Sequence, residues 1–187
     1  MAKIGMKDVH YAILMEDNEK GVQYQTPVAL PGAISAKISA KTNTDTLYAD
    51  DGAFETATAL GEITLELELA DLPLSAQAAL LGHTLNNGIL EAKATDEAPY
   101  VALGFRALKS NGKYRYYWLL KGKFEIPSDE SQTKEDKVSF KTGTLSGTFV
   151  CRQYDGMWKK VGDEDETEFT GGSTWFDVTT INAGTVV

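Results

Sequence analysis

The sequence predicts a mainly β fold, two packed sheets or a half-barrel β-sandwich flanked by one α-helix, built as a single domain over residues 1–187. Three observations predict it. Apolar and polar residues alternate at a period of two over long stretches, turn residues separate those stretches, and only one segment carries helical spacing.

The clearest alternation is "EITLELEL" (62–69), with Ile63, Leu65, Leu67 and Leu69 on one face and Glu62, Thr64, Glu66 and Glu68 on the other. One face packs and the other is acidic. "AISAKISAK" (33–41) repeats the pattern, with Ile34, Ala36, Ile38 and Ala40 opposite Ser35, Lys37, Ser39 and Lys41. Between these strands runs a polar connection, 42–61, long for a compact domain and expected to be disordered or to act as an extended arm or hairpin. It contains "LYADDGAFET", whose Leu47, Tyr48 and Phe54 are apolar groups that a merely solvated loop seldom gathers.

After the acidic strand, Leu74, Ala78 and Leu81 recur at helical spacing and Gly82 can end the helix in the left-handed conformation. Next, "YVALGFRALKSNGKYRYYWLLKGKFEIP" reads as a β-hairpin turning at Ser110, Asn111 and Gly112, with Pro127 closing its second strand. A polar break (128–136) leads to further strands, with Asp155 and Gly156 marking another turn. The tail, from about residue 162, opens on the acidic run 163–166, expected to be a solvated turn, and continues as a peripheral arm.

Composition narrows the function. With 187 residues the chain has enough length to bury roughly 70% of its unfolded surface. Apolar runs such as "YYWLL" fall far short of the ~20 residues of a membrane span, and the N-terminus lacks the cleavage site of a secretory signal. Synthesis and folding in a cytoplasm are expected. A net charge of −9 argues against gripping a phosphate backbone.

Candidate chemistry is sparse. One cysteine, Cys151, excludes an internal disulfide and a multi-cysteine zinc site, and the two histidines, His10 and His83, stand far apart in sequence. No nucleotide-binding glycine motif opens a helix. Asp50 and Asp51 are adjacent, so on an extended chain they point to opposite faces and do not converge on one ion. No catalytic residues, metal or cofactor are expected, and the chain is not read as an enzyme.

Several motifs taken in order, "YADDG" (48–52), the acidic strand, "ADLPL" before the helix, "PYVALGF" (99–105), "NGKYRYYWLLKGKF" (111–124) and "TGTLSGTFV" (142–150), resemble the major tail proteins of long-tailed bacteriophages, the phi13-type family in particular. The resemblance runs from about residue 5 to about 160. It implies a structural virion protein: a tail tube fold whose subunits form hexameric rings that stack into a channel for ejected DNA. Its implied partners are itself, the tape measure, tail terminator and distal tail proteins, and viral DNA in transit without tight binding. Its implied place is the virion tail, after assembly in the host cytoplasm.

On that reading Glu62, Glu66 and Glu68 line the channel, repelling DNA over about 8 Å at physiological salt. Leu47, Tyr48, Asp50, Asp51 and Phe54 form the contact between rings. Two alternatives are another tail component of the same fold, such as a tail terminator or baseplate ring, and a β-sandwich module binding carbohydrate or peptide on Tyr114, Tyr116, Tyr117 and Trp118.

Overall fold

A computed structural model describes residues 1–49, 52–128 and 142–183, with the backbone alone described at 48–49 and 52–54. The chain is mainly β and antiparallel, with strands β1 (Lys3–Asn18), β2 (Gly21–Tyr24), β3 (Val28–Ala29), β4 (Ala33–Ala49), β5 (Gly52–Leu69), β6 (Thr84–Asn86), β7 (Ile89–Glu91), β8 (Val101–Lys109), β9 (Tyr114–Phe124), β10 (Gly143–Phe149) and β11 (Lys159–Asp163). Helix α1 spans Leu74–Leu81 and a short α2 spans Val178–Asn182. The main sheet runs β2-β1-β8-β9-β10-β5-β4, with β11 also on β9 and β3 on β1, while β6 and β7 form a separate ribbon.

Register follows hydrophobic alternation. Ala36, Ile38 and Ala40 of β4 face Leu67, Leu65 and Ile63 of β5, and Leu145 and Phe149 of β10 face Leu67 and Ile63 on its other side. A one-residue slip would turn this set to solvent, so burying it fixes the pairing. The sheet curls until β4 approaches β1. Inside the curl lies the first core, in which Leu65, Leu67, Leu103 and Leu119 are completely buried and Leu80 and Leu81 of α1 close one side.

Helix α1 ends where sequence spacing expects. Gly82 takes φ +74°, and a Cβ there would lie 2.2 Å from the Glu97 carbonyl oxygen, so both conformation and space require glycine. The β8–β9 hairpin also forms with its turn at 110–113, and Gly112 donates to the Lys109 carbonyl at 3.0 Å.

Of the courses expected for the connection 42–61, the hairpin is the one found, in place of an open inter-strand loop: β4 and β5 stay paired through Tyr48↔Ala53 and Ala49↔Gly52, with only Asp50 and Asp51 outside the described residues. Two expectations are corrected. The tail is no peripheral arm, because Trp175 and Ile181 pack on Tyr116, Trp118 and Leu120 to make a second core on the opposite face of β9. A second helix, α2, sits in that tail. Five residues are too few to show helical periodicity in a sequence.

The tail is held by polar contacts as well as burial. Trp118 donates its indole N–H to the Trp175 carbonyl at 2.8 Å, and Trp175 donates to the Tyr117 carbonyl at 3.3 Å. Gly104 lets the Trp118 ring lie flat across β8, since a Cβ there would come within 2.6 Å of it. Arg152, buried, forks onto Asp155 and donates to the Ile181 carbonyl at 2.7 Å.

Candidate functional site

Three surfaces stand out: a projecting arm, a polar sheet face at its base, and a cleft at the curled sheet's seam. The arm is the outer half of the β4–β5 hairpin. β10 supports β5 from Ile63 to Leu69, and among the described residues no third strand pairs with the hairpin from Thr42↔Leu60 outward. Eight strand residues, Thr42 to Ala49, extend about 26 Å at strand rise. Both faces are open to solvent, with Asn43, Asp45, Leu47 and Glu55 to Leu60 all exposed and Leu47 at 60%.

Of the five residues expected at a ring contact, Leu47 therefore lies on the described arm and is exposed. Tyr48 and Phe54 fall within β4 and β5 by backbone, near the turn. Asp50 and Asp51 lie outside the described residues.

The polar face belongs to the half of the hairpin embedded in the sheet. Glu62, Glu66 and Glu68 point away from the first core, as alternation requires. Their surroundings correct the expectation of a plain acidic face. Lys41 donates to Glu62 at 2.6 Å and Lys37 to Glu66 at 3.0 Å, while Glu68 accepts from Ser35 at 3.1 Å and from Thr142 at 2.9 Å. Three glutamates thus meet two lysines, leaving a small negative excess on a charge-paired ladder. Sequence reading placed the lysines on the neighbouring strand, but only the register shows which carboxylate each one meets.

The cleft opens between the start of β1 and the inner half of β4, about 480 Å³ in volume. Ile38, Phe105, Tyr117 and Trp158 line it. Lys3 lies over the Tyr117 ring at 4.8 Å and Lys159 over Trp158 at 4.5 Å, and among the described residues no acidic side chain contributes to the lining.

The acidic run 163–166 does turn, with Asp165 and Glu166 exposed, but three of its carboxylates are tied to the sheet rather than left to solvent. Asp163 binds Lys109 and Arg115, Asp165 binds Lys109 and Lys113, and Glu164 accepts from the Tyr116 hydroxyl and the Tyr114 amide, each at 2.7 Å. Burial acts to raise the Asp163 pKa, yet the Lys109 ammonium, the Asp165 amide and the Arg115 guanidinium bring it far below the usual carboxylate range. Lys109, Lys113 and Arg115 of the β8–β9 hairpin are thereby committed to clamping the tail.

Of the aromatic platform required by the binding-module alternative, Tyr114 is half-buried and Tyr116, Tyr117 and Trp118 are buried, so the four do not form one exposed surface. His83, itself nearly buried, is tied to Asp96 at 2.9 Å; His10 stacks on Phe176 at 4.3 Å; Cys151 is exposed. Among the described residues no cluster of three histidine, cysteine or acidic side chains is placed to hold a metal, and no helix is long and apolar enough to cross a membrane. Compared with protein-family models and with curated proteins, the sequence matches none.

Proposed function

We propose that this chain is a tail tube subunit of a long-tailed bacteriophage, assembling into stacked rings, hexameric in the resemblance, that carry DNA. The observation that carries the reading is the β4–β5 arm, a two-stranded ribbon reaching about 26 Å beyond the last supporting strand among the described residues. Isolated two-stranded ribbons are marginal in water, so an arm of this length gains its stability from a partner surface. The partners and location of the resemblance follow: tape measure, tail terminator and distal tail proteins within a virion tail.

The paired ladder of Glu62, Glu66 and Glu68 suits a channel lining because it offers passing phosphates few uncompensated cations. Each contact made with DNA would have to break as the genome moves.

Negative-stain imaging of the purified protein at high concentration tests the reading. Hollow tubes of uniform width are expected. Single rings that never stack would favour a terminator or baseplate component, and a monomer at every concentration would overturn assembly altogether.

A further inference from the structure

We infer that Asn87 is a site of spontaneous deamidation, a self-modification that the fold directs to the β6–β7 turn and withholds from the β8–β9 turn. The sequence holds two Asn-Gly pairs, Asn87–Gly88 and Asn111–Gly112. A glycine after asparagine favours the reaction, because no Cβ shields the following amide nitrogen from the asparagine side chain. The Gly88 nitrogen attacks Asn87 Cγ, the Cγ–Nδ2 bond breaks, and ammonia leaves with the amide proton, closing a succinimide. Water then opens either imide carbonyl, leaving an aspartyl or an isoaspartyl residue. One water is consumed and one ammonia released, with no oxidant or reductant.

Exposure does not separate the two pairs, since all four residues are open to solvent. Hydrogen bonding does. Asn111 donates through Nδ2 to Asp165 at 2.8 Å and accepts from the Lys113 amide at 3.2 Å, while the Gly112 N–H donates to the Lys109 carbonyl at 3.0 Å. Leaving group, side-chain carbonyl and nucleophile are each occupied, and Asp165 is itself tied to Lys109 and Lys113. Among the described residues no hydrogen bond holds the Asn87 side chain or the Gly88 amide, and a Cβ on Gly88 would meet nothing within 4 Å.

The two turns also differ in what supports them. Asn87 and Gly88 take φ +49° and +80°, the consecutive left-handed pair of a tight hairpin turn, which is why Asn-Gly stands there. The ribbon this turn closes has two strands of three residues that join no other sheet, and its Leu85 and Ile89 are exposed. Such a ribbon is marginal in water and opens locally at little cost, so the turn reaches the cyclising geometry. The β8–β9 turn instead closes two long strands of the main sheet. An isoaspartyl product at position 87 routes the main chain through the side-chain methylene, lengthening the turn and breaking the Asn86↔Ile89 pair.

Ageing the purified full chain at mildly alkaline pH and mapping its peptides by mass spectrometry tests the inference, with Asn111 as the internal reference. Amide-to-acid conversion, with an isoaspartyl share identified by fragmentation, should run at least about tenfold faster at position 87 than at 111, the factor set by breaking one or two hydrogen bonds before reaction. In denaturant the two rates should converge. Asp165→Ala, which removes the acceptor of the Asn111 amide, should raise the rate at 111 in the folded chain. No conversion at 87, comparable rates in the folded chain, a difference that persists in denaturant, or a rate at 111 indifferent to Asp165→Ala overturns the inference.

Discussion

Trp118 and Trp175 fasten the tail to the sheet, the indole N–H of the first donating to the backbone carbonyl of the second at 2.8 Å. Trp118 is completely buried and lies between Gly104 of β8 and the aromatic side chains of the tail. Trp175 is therefore a structural residue of the second core. Replacing it with alanine is expected to destabilise the fold by about 3–5 kcal/mol, the range for deleting a large buried aromatic. Denaturant unfolding of the isolated subunit measures this, and a loss under about 1 kcal/mol would return the tail to a peripheral role.

Arg152 and Asp155 are both buried, in an ion pair that also engages the Ile181 carbonyl. Removing one partner leaves an uncompensated charge in the interior. Arg152→Met alone should cost about 3–5 kcal/mol, and Arg152→Met with Asp155→Leu should recover much of the loss. A double variant no more stable than the single one would show that Arg152 acts mainly by holding Ile181.

Much of the first core was legible because β4, β5 and β10 have one buried and one solvated face, and Ile38 and Leu65 fall where period-two alternation puts them. The arm was harder to read. Residues 42–61 show little apolar alternation, because their partner is the other half of the same hairpin and none of the described side chains at 42–47 and 55–61 is buried. The second core did leave a signal in the run Tyr116 to Leu120, since uninterrupted apolar residues mark a strand covered on both faces. Its cover, Trp175 and Ile181, lies in a tail with no periodicity to announce it. The lysine–glutamate pairing on β4 and β5 depends on register, which composition does not convey.

Acid should weaken the tail clamp. Burial favours the neutral form of Asp17, but donors from Gln153, Lys121 and Tyr154 hold its pKa below the ordinary value, and Asp163 is lowered further. A carboxylate lowered on folding contributes stability that is fully present above its unfolded pKa and is lost as pH falls through the folded one. Unfolding free energy should thus show little carboxylate-linked loss above about pH 5 and decline below about pH 4. Asp163→Asn should flatten that decline, and an unchanged acid slope would count against the clamp.

Shortening the arm should separate folding from assembly. Residues 44–56 lie wholly beyond the β10-supported part of β5, and the exposed arm side chains contribute nothing to the first core. Deleting them is expected to leave the far-ultraviolet spectrum strand-rich and thermal unfolding cooperative, while tubes fail to lengthen. Normal tubes from the deleted chain would remove the arm from the stacking contact.

On the proposed tube reading, charge on the polar face should govern DNA transit rather than assembly. Glu62 and Glu66 pair with Lys41 and Lys37 across an exposed ladder, where each ion pair contributes about 0–1 kcal/mol to stability. Their removal should be tolerated by the fold. Replacing Glu62, Glu66 and Glu68 with lysine turns a small negative excess into five positive groups, Lys37 and Lys41 included. Subunits should still assemble, and DNA should now bind the channel with an affinity that falls steeply as salt rises. Ejection would slow or stall at low salt and recover partly at high salt. Unchanged ejection from particles built with this variant would place the face elsewhere than on the channel.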